Sequence, residues 1–253
     1  MAGNSHAMEL LSDADLRFLD PERGSSLRQD PDRLESLLDA PGYLERLAAD
    51  SRSLLQVTPY LLFQLILRQA ARDLGDRGFV MEWAAPRQRV PVYDAVHLRE
   101  ALLHPRITSY LCELLASFTH VHSGVVAWRT GALLRRQRYS ELDVRSLVDL
   151  LDVVSDVDRF HLERRIAEVA LFLTGVFPDF VANRTSRLGT LTELEELGIA
   201  HYRLAARHEL ASRSGSADLL ASMAEQFSRV QHALNFVADR YLRERWGPWF
   251  SVG

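Results

Sequence analysis

The sequence predicts a mostly α-helical protein: one multi-helix, bundle-like domain with a small β-hairpin near residues 78–94. Three observations carry this. Apolar residues recur at three- and four-residue spacing along most of the 253 positions, and helix-starting residues stand directly before those runs. Only the stretch between Gly78 and Asp94 is strongly β-branched and aromatic in short pieces.

In chain order, "MAGNSHAM" reads as a disordered tail or expression scar, because it has neither the basic n-region nor the apolar h-region of a signal peptide. In "RQDPDRLESLLDA", Asp30 caps and Pro31 takes the first helical position, where its missing N–H is no loss; Leu34, Leu37 and Leu38 make the buried stripe. "DAPGYLERLAAD" repeats the grammar. In "VTPYLLFQLILRQAARDLGD", Thr58 caps, Pro59 opens and Gly75 closes a helix that is apolar nearly all round from Leu61 to Ile66, with Gln64 the exception. That helix is expected at the centre of the fold.

"FVMEW" and "RVPVY", separated by "AAPRQ", form the expected hairpin, and "HSGVVAWRTG" is a weaker strand candidate. Helices resume with the capping pairs Ser140/Asp143, Ser155/Asp158 and Thr190/Glu193. From Ser216 the apolar spacing of Leu219, Leu220, Met223, Phe227, Val230, Leu234, Val237 and Leu242 predicts one long helix. No fixed-period repeat and no long linker divides the chain, so 9–253 reads as a single domain; a separable N-terminal lobe over 9–76 is the alternative.

Composition narrows the function classes. A hydrophobic share of 47% with 25% charged residues is that of a soluble globular chain, and a net charge of −4 argues against a general nucleic-acid partner. All 30 basic residues are arginine, which reads as coding bias rather than function. One cysteine suits a reducing compartment, hence a cytoplasmic location. The longest apolar runs each contain a proline and fall short of the ~20 residues of a membrane span.

Five constellations could carry chemistry. His104, Cys112, His120 and His122 collect the lone thiol with three imidazoles as a candidate metal or haem site. On one helix, however, Cys112 and His120 stand about 12 Å apart, and His120 and His122 converge only if the chain turns extended there. The alternative is a core helix with a polar end.

Arg203 and His208 stand as R-x4-H in "YRLAARHEL". This spacing resembles the active-site motif of HEPN-domain ribonucleases, all-helical proteins in which such a pair cleaves RNA, usually across a homodimer. The resemblance covers two residues and their helical context; Leu204 stands where the family carries a polar residue, and the same spacing recurs at Arg99–His104. It implies an imidazole moving a proton beside a guanidinium that stabilises phosphate.

Arg129, Arg135, Arg136 and Arg138, flanked by Trp128 and Tyr139, form the best local stretch for phosphate or nucleic acid. Asp149, Asp152, Asp156 and Asp158 read as a solvated helix face and a cap. Trp246, Trp249 and Phe250 give the C-terminus apolar area to cover, on its own core or on a partner.

The phosphate-cradling, dinucleotide, nucleophile-elbow and zincin motifs are all missing from the sequence, which leans away from an enzyme. The expected function is non-catalytic binding, of a protein partner or a small apolar ligand, in a groove built by the helices around residues 61–72 and 165–177. No cofactor is expected, and a homodimer is, through the C-terminal helices. A ribonuclease using Arg203 and His208 and a metal- or haem-binding helical protein are the alternatives.

Overall fold

The computed structural model describes residues 9–85, 88–92, 94–119, 123–130, 133–140 and 142–242, with backbone alone at 51, 82–85, 88–89, 92, 123–130, 133–140 and 186–187. Five helices come first: α1 (Asp13–Leu19), α2 (Pro31–Asp39), α3 (Tyr43–Ala49), α4 (Ser51–Gln56) and α5 (Pro59–Gly75). Strands β1 (Val80–Ala85) and β2 (Gln88–Val92) pair with each other, followed by α6 (Ala95–Leu103), α7 (Pro105–Ser117) and the second pair, β3 (Ser123–Thr130) and β4 (Leu133–Ser140). Eight helices follow: α8 (Val144–Leu150), α9 (Asp156–Val176), α10 (Pro178–Ala182), α11 (Thr185–Leu188), α12 (Leu191–Arg207), α13 (Glu209–Ser214), α14 (Ala217–Glu225) and α15 (Phe227–Val237). The mostly helical fold and the hairpin at 78–94 are as the sequence predicts.

The helix starts show why these segments form. Asp30 accepts from the Arg33 N–H with Pro31 behind it, and Thr58 accepts from the Leu61 N–H with Pro59 behind it. Ser155 accepts from the Asp158 N–H, and Thr190 and Glu193 close a reciprocal box. Each such cap is worth about 1 kcal/mol.

Three local expectations came out differently. Helix α3 starts from Gly42 at φ 93°, a left-handed turn that replaces the Asp/Pro start. Ser140 ends β4 opposite Ser123, so the residue expected to cap belongs to a ladder and Asp143 takes the position before α8. The long C-terminal helix is interrupted at Gln226 (φ −104°, ψ 12°), whose N–H bonds the Ser222 carbonyl at 2.9 Å and whose amide bonds the Ser222 hydroxyl at 2.8 Å. Beyond α15 the chain widens into a π-type turn, Ala238–Leu242.

The weak strand candidate at 123–130 is real, and its partner is the basic stretch 133–140, which the sequence did not mark as a strand. The antiparallel register sets Trp128 opposite Arg135, Ala127 opposite Arg136, Val125 opposite Arg138 and Arg129 opposite Leu134.

Contacts divide the chain into two compact units. The first takes 1–80, 91–119 and 236–253, and so contains the segment 9–76 considered as a lobe. Its axis is α5, packed against α2, α6 and α7, with Leu61, Leu62, Phe63, Leu65, Ile66 and Leu67 all buried. Burying side chains of this size stabilises by roughly 1.5–3 kcal/mol each, which is why the most apolar helix sits deepest. The second unit takes 81–90 and 120–235. There α9 packs on α12 and α12 on α14, and α9 is buried on every side from Ile166 to Val176. No helix among the described residues is long and apolar enough to cross a membrane.

Candidate functional site

One polar line runs along the buried helix α5. Tyr60, Gln64, Arg68 and Arg72 recur every fourth residue, so they share one side of the helix. Helix α2 brings two carboxylates, also four apart, to meet them: Arg68 bonds Glu35 at 2.7 Å and Asp39 at 2.5 Å. Arg68 Nε also reaches the Gln64 amide oxygen at 3.3 Å. From the other end of that amide the line continues, Gln64 to the Tyr60 hydroxyl at 3.0 Å and Tyr60 to the Ser109 hydroxyl on α7 at 3.0 Å.

Beside this line lies a cavity of about 420 Å³ within the first unit. Glu35, Asp39, Gln64, Arg68, Arg72 and Ser109 form a polar wall; Leu102, Leu103 and Pro105 supply an apolar one. Thr108 also borders the cavity, but its hydroxyl is spent on the Leu102 carbonyl at 2.6 Å, holding the α6–α7 corner in place.

The electrostatics follow from burial and pairing. Burial works against a charge on Arg68, yet Glu35 and Asp39 outweigh it and hold the guanidinium above its ordinary value. Burial pushes the Tyr60 phenol up to about 12, with Cys112 and Glu113 adding to the rise and the Ser109 and Gln64 hydrogen bonds opposing it. The Cys112 thiol, fully buried, is pushed well above its ordinary value. Burial thus favours its protonated form.

The residues singled out from the sequence fall elsewhere. His104 caps α7, its ring accepting from the Ile107 N–H at 3.4 Å, eight residues from buried Cys112; that is about 12 Å along a helix. His120 and His122 lie outside the described residues, as do Trp246, Trp249 and Phe250. Among the described residues no three His, Cys, Asp or Glu side chains gather as a metal site.

Arg203 is exposed on α12, whereas His208 lies between α12 and α13. The His208 ring accepts from the Leu210 N–H at 3.2 Å, lies 3.4 Å from an Asp156 oxygen and packs against Phe160, three occupations that explain a histidine there. Asp149 lies in α8, whereas Asp156 and Asp158 stand in the first turn of α9, so Asp149 and Asp156 do not share a helix face while the helix start at 156–158 is acidic as expected. Arg129, Arg135, Arg136 and Arg138 fall on two strands of one ribbon, alternation placing positions 129, 136 and 138 on one side and 135 on the other.

Two groupings escaped the sequence reading. One is the α5 line, of which only Gln64 stood out; polar residues at every fourth position of an otherwise apolar helix were the available signal. The other is His201 on α12, hydrogen-bonded to buried Glu163 on α9. No sequence spacing links those two, since 38 residues separate them.

Among known proteins the chain matches no family model, no curated sequence and no solved structure. The site is accordingly defined by its own geometry.

Proposed function

We propose that the protein binds a small amphipathic molecule in the cavity beside α5, without chemical turnover. One observation carries the reading: an apolar wall of Leu102, Leu103 and Pro105 shares a cavity of about 420 Å³ with a polar wall in which guanidinium groups are held by carboxylate and amide partners. A volume in the range of roughly 300–1,000 Å³, mostly preformed, with a few oriented polar groups is what small-ligand sites have in common.

Preformation is supported by the bonding. Arg68 is held at three nitrogens and Gln64 at both ends of its amide, so neither needs to rearrange when a ligand arrives. The mixed lining refines the apolar ligand expected from the sequence to one with a polar head. A reducing, cytoplasmic setting and a second copy of the chain belong to the same proposal.

Leu103, half-exposed at the cavity edge, gives the test. Native mass spectrometry of the purified protein, and thermal shifts across a panel of amphipathic small molecules, are expected to show a bound or stabilising compound. Leu103→Trp is expected to abolish it by filling the entrance. A panel without any stabilising compound, together with a ligand-free spectrum, would overturn the reading.

A further inference from the structure

Hydrogen-bond direction along the α5 line settles which groups face the cavity as donors. Arginine only donates, so the Gln64 amide must turn its oxygen to Arg68 and its NH₂ to Tyr60. The Tyr60 oxygen thereby accepts, and among the described residues its own proton finds the Ser109 oxygen as acceptor at 3.0 Å. Ser109 then keeps its O–H proton for something else. Its side chain is buried and lines the cavity, so that proton is available to an acceptor placed there.

Arg72 adds a second donor. Its Nε and one terminal nitrogen bond the Gln69 amide oxygen at 3.2 and 2.6 Å, and its other terminal nitrogen bonds the Asp39 carbonyl at 2.8 Å. Gln69 is itself oriented, because its NH₂ donates to Asp73 at 2.8 Å. Both partners of Arg72 are neutral, and one N–H remains on each terminal nitrogen. By contrast, the charge of Arg68 is answered by two carboxylates.

We propose that the cavity receives the carboxylate of a small monocarboxylic acid with an apolar body, its oxygens accepting from the Ser109 hydroxyl and the Arg72 guanidinium. The apolar body lies against Leu102, Leu103 and Pro105. This rests on the reading of the cavity as the binding site. A guanidinium with two N–H groups left matches a carboxylate better than a single-acceptor carbonyl, and the two carboxylates of the lining, Glu35 and Asp39, are both paired with Arg68, which leaves the Arg72 charge for the ligand.

The experiment is calorimetric titration of the full chain with octanoate, octanamide and octylammonium, repeated on Ser109→Ala and Arg72→Gln. Octanoate is expected to bind at least about tenfold more tightly than octanamide, and each substitution to weaken octanoate by about tenfold, the loss of one charge-assisted hydrogen bond. Arg72→Gln is also expected to erase the preference for octanoate over octanamide. Arg72→Gln removes bonds to neutral groups only, so unchanged melting of that variant separates a binding defect from misfolding. Equal binding of octanamide, or tighter binding of octylammonium, overturns the carboxylate proposal while leaving the cavity reading intact. Failure of all three probes overturns the carboxylate proposal, while the cavity reading is decided separately by the wider panel and the native mass spectrum. An N-acetylated tripeptide ending in leucine is expected to bind more weakly than octanoate; the reverse order overturns the assignment to a small free acid.

Discussion

Asp15 and Thr58, 43 residues apart, are joined by two hydrogen bonds: the Thr58 N–H donates to one carboxylate oxygen at 2.7 Å and the Thr58 hydroxyl to the other at 2.8 Å. The same carboxylate accepts from the Ser12 N–H and hydroxyl at 2.8 and 2.9 Å. One fully buried side chain thus closes the start of α1 and fixes the residue that caps α5. Because α5 carries the candidate site, this contact sets where the site stands in its unit.

Asp15→Ala leaves the Ser12 and Thr58 donors without that acceptor. Losing a buried, charge-assisted acceptor of several donors is expected to reduce stability by about 2–4 kcal/mol. Urea unfolding of the variant, read as a lower midpoint at unchanged slope, checks it. An unchanged midpoint would show that water replaces the carboxylate.

How much of this was legible beforehand depended on how local the determinant is. Asp30, Thr58, Ser155 and Thr190 act on N–H groups within three residues, and sequence shows such caps directly. Ser140 obeyed the same spacing and failed, because its strand partner Ser123 lies 17 positions earlier and took the backbone into a ladder. The site follows the same division: the four-residue spacing on α5 is in the sequence, but that Glu35, Asp39 and Ser109 come to meet it depends on how α2 and α7 pack. The interruption at Gln226 was hidden because apolar spacing continues across it.

Alkaline pH is expected to destabilise the first unit through Tyr60. A phenol held at about 12 when folded, against an ordinary 10, favours the protonated folded state. Its contribution is fully present below pH 10 and is lost as pH rises through 12, an effect of about 2–3 kcal/mol for a two-unit shift. The raised thiol of Cys112 acts in the same direction, starting from its lower ordinary value. Denaturant midpoints measured from pH 8 to 12 should fall, and Tyr60→Phe should flatten the decline between 10 and 12. An equally steep decline in that variant would assign the effect to other groups.

Gly198 is expected to be irreplaceable in the second unit. A β-carbon there would stand 2.5 Å from Cε2 and 2.6 Å from Cζ of Phe227, and 3.1 Å from the β-carbon of Ala170. Phe227 is fully buried, its ring in edge-to-face contact with Tyr202, so the obstructing atoms belong to a packed ring and not to a mobile chain end. Gly198→Ala therefore forces α12 away from the ring despite the better helix propensity of alanine, and overpacking of this kind is expected to destabilise by about 1–3 kcal/mol. If the clash is the cause, shortening the ring must relieve it. The destabilisation by Gly198→Ala should be smaller in a Phe227→Leu background, a coupling that a double-mutant cycle in urea measures; strictly additive effects would refer the cost to the helix backbone instead.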